Sequence, residues 1–407
     1  MLGLTLEGGG AKGAYQVGAW QAFRQLGLEF QGITGTSVGA LNGALMIQED
    51  FDIAYDIWYN ITPHMVMDID DRIYEMLSGA QINNRSIHIF LEEIRKFVKG
   101  FGFDARPLEN LIKDTIKEEK IIQSPKEFGF VTVSLTDFKP LEIYKEEIPS
   151  GKIVDYLMAS SYLPIFKSKK LDGKKFLDGS FYNNLPIDML YNKGYKKIVA
   201  VRLLSIGRIK KVEKEDLEVI YIQPYRDLGG VMDFTKKRAR YNMKLGYFDT
   251  IRVLKGLEGK KYYIKNGLCE EKALKFLMSG EEKMIKLLAE LYHLSPIKPL
   301  NRLLLEEIIP KWALLMDLGE GCSYADIVIG LVETLAEYND INPFYVYTLE
   351  GLLRRSIEIY CKDKQKVEDK QKKLLPSADF LPTIGREKLL EKTIKVLLRH
   401  HEGLLLE

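Results

Sequence analysis

The stretch Gly35-Thr36-Ser37-Val38-Gly39 constrains this chain more than any other. A short apolar-leaning segment, Phe30 to Thr34, runs into it. Ala40 to Met46 leaves it with helical composition, so the serine falls where a strand turns into a helix. Such a turn can be tight only if the residues flanking the serine are small, and Gly35 and Gly39 let strand and helix approach with no side chain between them. The hydroxyl then projects at a helix N-terminus, whose unpaired N–H groups favour a developing negative charge. G-x-S-x-G by itself occurs in many ordinary turns. The setting between strand and helix is what points to a nucleophile elbow.

Upstream, Leu2 to Leu6 reads as a strand and Glu7-Gly8-Gly9-Gly10-Ala11-Lys12-Gly13 as a glycine loop. Ala14 to Leu26 follows as a helix carrying Val17, Trp20, Phe23 and Leu26. Bare glycines expose their N–H groups, a concave donor array suited to an oxyanion or a phosphate. Gly8, Gly10 and Gly13 also satisfy the dinucleotide fingerprint G-x-G-x-x-G, and Glu29 lies near the place of a ribose-binding acid. That reading needs a second strand ending at the acid, whereas only Gly27 and Leu28 separate Glu29 from the first helix. A donor loop followed by a strained serine is instead what acyl transfer requires.

Residues 51 to 103 are aromatic-rich, with Trp58, Tyr59, Met65, Val66, Met67, Phe90, Phe97, Phe101 and Phe103, and read as a helical cap or as a lid lining an apolar acyl pocket. Pro107 opens a helix. Phe128 to Leu135 and Leu141 to Tyr144 read as strands with Lys139-Pro140 as the turn between them. Farther on, Phe176-Leu177-Asp178-Gly179-Ser180 reads either as a hairpin turn or as a strand whose last residue, Asp178, stands beside the serine. The five histidines, His64, His88, His293, His400 and His401, all lie away from the glycine loop, the serine turn and the Asp-Gly turn. A Ser-Asp dyad therefore fits better than a Ser-His-Asp triad. In a dyad the carboxylate takes the serine proton directly, which requires contact and partial desolvation of Asp178.

Taken together, Gly-Gly-Gly-x-Lys-Gly, G-T-S-x-G, the S-x-L-P-x-F of Ser161 to Phe166 and the Asp-Gly turn resemble the patatin-like phospholipases, with Phe103-Asp104 and Pro107-Leu108 adding to the match. The resemblance covers about the first 190 residues and implies a three-layer α/β/α fold and a lipid acyl hydrolase. It implies Ser37 as nucleophile and Asp178 as base, and Gly8, Gly9 and Gly10 as oxyanion-hole backbone. Lys12 and Gly13 would support the loop and an anion near it, and Gly179 and Ser180 would form the turn after the base. It implies no metal and no organic cofactor. The family usually has Gly or Ala where Ser180 stands, and a hydroxyl there could bond Asp178 and lower its basicity.

The 407 residues, 46% of them apolar, are enough for two or three domains, and 59 basic against 57 acidic residues give no bulk charge to attract nucleic acid. Neither a secretory leader nor a long uncharged apolar run is evident, which leads us to expect a soluble cytoplasmic protein, with contact at a membrane surface left open. Cys269, Cys322 and Cys361 read as buried reduced thiols. Gly246-Tyr247-Phe248-Asp249-Thr250 resembles an ending found after the core in bacterial members of the family. We therefore expect a catalytic domain over 1–265, its motif-bearing core over 1–192, closed by a strand at Lys261 to Ile264. An all-helical region then follows over 268–407. Lys362 to Lys373 is a charge run of solvated character, and Leu389 to Leu406 is amphipathic, suited to docking, a partner or a bilayer. The expected partner is a lipid substrate; oligomeric state is not legible. The competing readings are a non-catalytic interaction protein working through 268–407, and a dinucleotide-binding protein.

Overall fold

The computed structural model describes residues 1–78, 103–163, 166, 170–171, 173–265, 267–295, 297–368 and 385–400. Phe90, Phe97, Phe101, His88 and part of the 362–373 charge run lie outside them. The chain forms two compact units, Met1–Leu254 and Lys255–Glu407.

The first unit is built on a seven-stranded sheet of β1 (Leu2–Leu6), β2 (Gly32–Thr36), β3 (Glu127–Ser134), β4 (Lys139–Tyr144), β5 (Phe176–Asp178), β6 (Lys197–Val201) and β7 (Glu218–Ile222). Its order is β4-β3-β2-β1-β6-β7, with β5 also pairing with β3. Neighbours among β1, β2, β3, β6 and β7 run parallel, and β4 and β5 run antiparallel to β3. The central strands are buried on both faces, as a parallel sheet covered by helices requires. Among the described residues the helices of this unit are α1 (Ala14–Gln25), α2 (Val38–Ile47), α3 (Phe51–Asn60), α4 (Asp71–Ser78), α5 (Arg106–Thr115), α6 (Glu118–Gln123), α7 (Ile153–Ser160), α8 (Ile187–Asn192) and α9 (Lys236–Lys255).

Glycines fix the two faces. A Cβ on Gly43 of α2 would meet Phe128, Ile33 and Leu6, which places α2 on the face those side chains share. Gly3 and Gly32 lie on the opposite face, where a Cβ would meet Leu190 of α8 and Tyr195. The sheet is thus sandwiched, the expected three-layer α/β/α arrangement. The Gly246-to-Thr250 motif also acquires a reason. A Cβ on Gly246 of α9 would fall 1.9 Å from Tyr15 O, and one on Gly18 of α1 would fall 1.9 Å from Met243 O, so the two helices pack backbone to backbone. Beside that contact the Tyr15 hydroxyl donates to Asp249 (2.9 Å), which also pairs with Arg252 (2.7 Å).

Three local expectations are corrected. Lys139 and Pro140 belong to β4 rather than to the turn before it. β4 is an edge strand, where a missing N–H is tolerated, and the turn falls at Leu135–Phe138 with Phe138 at φ 53°. The strand after α9, β8 (Tyr263–Ile264), pairs with β9 (Val346–Tyr347) and shares the core of the second unit, so it does not close the first; the division falls at Leu254 rather than at 265. The cysteines are not buried: Cys269 and Cys361 are exposed and Cys322 is half-buried. Cys269 sits at a helix N-cap, a position that faces water.

Among its described residues the second unit is helical apart from that strand pair, with α10 (Glu270–Met278), α11 (Glu282–Leu291), α12 (Leu300–Leu303), α13 (Ile309–Met316), α14 (Tyr324–Tyr338), α15 (Leu349–Glu368) and α16 (Arg386–His400). Leu277, Met284, Leu288, Ile308, Trp312 and Leu352 form its core. The amphipathic C-terminal segment docks there, with Ile394 and Leu397 of α16 buried. No helix among the described residues is long and apolar enough to cross a membrane.

Candidate active site

Every parallel strand of the first unit ends on the same edge of the sheet, and the loops at that edge carry the residues singled out in the sequence. β1 ends at the glycine loop, β2 at Ser37, and Asp178 is the last residue of β5, which lies against β3 next to β2.

Ser37 has φ 55° and ψ −125°, a conformation strained by about 1–3 kcal/mol for a residue with a side chain. The elbow glycines explain how it is held. A Cβ on Gly35 would stand 2.4 Å from the carbonyl of Gly39, and one on Gly39 would stand 2.3 Å from Leu6 O. A further device is Ser160, the last residue of α7. Its hydroxyl accepts the Ser37 N–H (3.0 Å) and donates to Val131 O of β3 (2.7 Å), tying the elbow to the strand that also carries β5. Thr132 of β3 donates to Ala159 O (2.9 Å) and pairs with Asp178, so the same strand positions nucleophile and carboxylate.

Asp178 is wholly buried. Desolvation pushes its pKa above the ordinary carboxylate value; the Ser37 hydroxyl, the Ser180 N–H and the Ser180 hydroxyl pull the other way without overcoming the burial. Ser180 thus acts in the expected direction, and its N–H donates to Oδ1 at 2.8 Å. Oδ2 has no well-aligned hydrogen bond among the described residues, which leaves it available to a proton. Gly179 is required by packing, since a Cβ there would fall 2.2 Å from Val131 O. Among the described residues no histidine bonds Ser37 or Asp178; His64 pairs with Asp71 and His400 with Glu281.

In the glycine loop the Gly8 N–H donates to Asn184 O (3.1 Å) and the Ala11 N–H to Val231 O (2.9 Å). The N–H groups of Gly9 and Gly10 have no acceptor among the described residues. Gly8 is therefore corrected as a donor: its N–H is already satisfied, and its lack of a side chain serves close packing, since a Cβ would lie 2.3 Å from Asn184 Oδ1. Gly13 packs against Val38 and Trp58, which a Cβ would strike. Lys12 is partly buried; desolvation lowers its pKa, while Asp227 and Glu7 act to raise it, and its ammonium approaches Leu203 O at 3.5 Å.

In the sequence Glu7 marks only the start of the loop. It is fully buried and its carboxylate accepts from Arg202 Nε (3.1 Å) and from the N–H groups of Leu203 (2.7 Å), Leu204 (3.2 Å) and Ser205 (3.3 Å), locking the segment after β6 beside the glycine loop. A second network joins the Trp58 indole to Asn42 (2.9 Å), and Asn42 to Gly13 O (3.1 Å) and Gln16 (2.8 Å). The dinucleotide reading fails on placement. Glu29 is exposed and precedes β2, whose first residue pairs with Gly3, so it stands at the opposite edge of the sheet from the loop.

Ser37 opens into a cavity lined by Gly10, Val38, Leu41, Leu45, Ile57, Trp58, Ile61, Val66, Met67, Leu108, Leu111, Ile112, Thr115, Ile116, Ser161, Leu163, Phe166, Met232 and Phe234 among others. The described part of the expected cap, Trp58, Val66 and Met67 included, is thus one wall of an apolar pocket.

The family model described as patatin-like phospholipase matches residues 4–191. The patatin-like phospholipase domain-containing protein ZK370.4 of Caenorhabditis elegans is 30% identical over 216 residues, 50% of this chain and 14% of that protein. Patatin-like phospholipase domain-containing protein 7 of Rattus norvegicus is 28% identical over 208 residues, 49% of this chain and 13% of that one. Lysophospholipase NTE1 of Scheffersomyces stipitis is 23% identical over 331 residues, 70% of this chain and 20% of its own length. The chain therefore spans about a fifth or less of the length of these relatives.

Proposed function

We propose, from the match of the patatin-like phospholipase model to residues 4–191, that the chain is a serine acyl hydrolase cleaving carboxylic esters of phospholipids or other glycerolipids through an acyl-enzyme on Ser37. The observation that carries this reading is the strained Ser37 facing a wholly buried Asp178 at one end of an apolar cavity. The Ser37 oxygen attacks the ester carbonyl as its proton passes to Asp178. A carboxyl whose pKa is raised by burial is suited to holding that proton. The carbonyl oxygen becomes an oxyanion facing the Gly9 and Gly10 N–H groups and the positive end of α2. Collapse of the tetrahedral intermediate breaks the bond to the leaving alcohol, which takes the proton from Asp178. A water then gives a proton to Asp178, attacks the acyl-enzyme and frees the fatty acid and Ser37.

The name lysophospholipase borne by one relative favours a substrate with a single acyl chain. Contact with a lipid surface is supported by Phe138 and Leu204, exposed on the turns that follow β3 and β6 at the edge where Ser37 opens. The test is hydrolysis of a short-chain nitrophenyl ester and of lysophosphatidylcholine by the full chain. Ser37→Ala and Asp178→Asn are expected to abolish both with the fold intact, and full activity in either folded variant would refute the dyad.

A further inference from the structure

The cavity at Ser37 has a far end as well as a mouth. α2 runs along it, presenting Val38, Leu41 and Leu45, which recur at the spacing of one helical face. Opposite them stands α5, whose last turn brings Thr115, followed by Ile116, to the same cavity. Beyond Leu45 the two helix ends are stitched together by the buried side chain of Gln48. Its Nε2 donates to Thr115 O (3.0 Å) and its Oε1 accepts the Lys117 N–H (2.9 Å). Its Nε2 also donates to Asp50 (2.8 Å). This amide ties the ends of α2 and α5 together just beyond Leu45 and Ile116.

We propose that α2 is a ruler for the acyl chain, with Leu45 and Ile116 as its stop, and that the preferred substrates carry medium-length saturated acyl groups. The inference rests on Ser37 being the acylated residue. Eight helical residues from Ser37 to Leu45 at about 1.5 Å each give a usable depth of about 12 Å. An extended alkyl chain with bonds of about 1.5 Å advances about 1.3 Å per carbon, so about nine carbons fill that depth. Until that stop is reached, each further methylene leaves water for the apolar wall and raises kcat/KM by about fourfold. Past it, added carbons must fold back on the wall or force Leu45 and Ile116 apart, which strains the packed site, and kcat/KM falls.

The experiment is kcat/KM for nitrophenyl esters from butyrate to palmitate, each below its aggregation concentration, with the full chain and with Leu45→Ala, Ile116→Ala and Leu41→Trp, each checked by thermal melting. The wild type is expected to peak at octanoate or decanoate and to fall at least tenfold by palmitate. Leu45→Ala or Ile116→Ala moves the peak to longer chains, and Leu41→Trp moves it below octanoate. A wild-type profile that keeps rising through palmitate, or folded variants that keep the wild-type optimum, overturns the ruler while Ser37-dependent butyrate hydrolysis leaves the catalytic reading standing. Butyrate hydrolysis that survives Ser37→Ala, or no hydrolysis at any length, overturns both.

Discussion

Ser160→Ala isolates what the nucleophile owes to its tether. Ser160 is fully buried, and its hydroxyl accepts the Ser37 N–H at 3.0 Å while donating to Val131 O at 2.7 Å. Alanine keeps the shape and removes both bonds. A buried N–H left without a partner costs about 1–3 kcal/mol, and the lost bond to Val131 about 1 kcal/mol more, so the variant should be destabilised by about 2–4 kcal/mol. In a unit of this size each kcal/mol lowers the melting temperature by about 2–4 °C, giving a fall of about 5–15 °C. Stability is half of the prediction. Ser37 is held at φ 55°, and without the bond at its N–H the elbow can relax and carry the hydroxyl away from Asp178. Measured well below the melting temperature, ester hydrolysis should therefore fall at least tenfold, mainly in kcat, because Ser160 does not line the acyl cavity. Melting by calorimetry and kinetics on the same preparation decide the matter. An unchanged melting temperature would refute the energetics, and an unchanged kcat in a destabilised variant would refute the positioning role.

The pH dependence of stability follows from Asp178. Its folded pKa is raised by burial, so between the unfolded and folded values the native state keeps a proton that the unfolded chain has released. This contribution is fully present below the unfolded carboxylate pKa and is lost as pH rises through the folded pKa. Asp178→Asn should thus be more stable than wild type at pH 8 and lose that advantage near pH 3 in denaturant titrations, although it is inactive throughout. An advantage of equal size at both pH values would contradict the assignment. Glu7→Gln exchanges one acceptor oxygen for a donor facing N–H groups and leaves Arg202 without its charge partner. It should destabilise by about 2–4 kcal/mol in denaturant titrations.

The parts of the site built from local backbone requirements were legible in the sequence. Gly35, Gly39 and Gly179 each sit where a Cβ would meet backbone at under 2.5 Å, and such positions leave glycine in the chain as a mark. The distant histidines favour a dyad, but Asp178 itself is marked by its resemblance to the family's Asp-Gly turn, and its burial could not be read from Asp-Gly alone. What escaped was tertiary. Ser160 immediately precedes the Ser161-to-Phe166 motif, but nothing local says that its hydroxyl reaches Ser37 and Val131. Glu7 looked like a loop residue because acidic side chains are seldom fully buried, and its donors come from the segment after β6. Pro140 suggested a turn because the edge position of β4 is a property of the sheet. The boundary was drawn late because Tyr263–Ile264 reads as a strand wherever its partner lies, and that partner is Val346–Tyr347.

The most direct test of the account is covalent. A fluorophosphonate probe reacts with a serine only when that serine is activated and an oxyanion site receives the phosphoryl oxygen. Incubated with the full chain and mapped by peptide mass spectrometry, the probe should mark Ser37, with labelling absent in Ser37→Ala and strongly slowed in Asp178→Asn. A folded wild-type protein that takes no label, or takes it at another serine, would contradict the account.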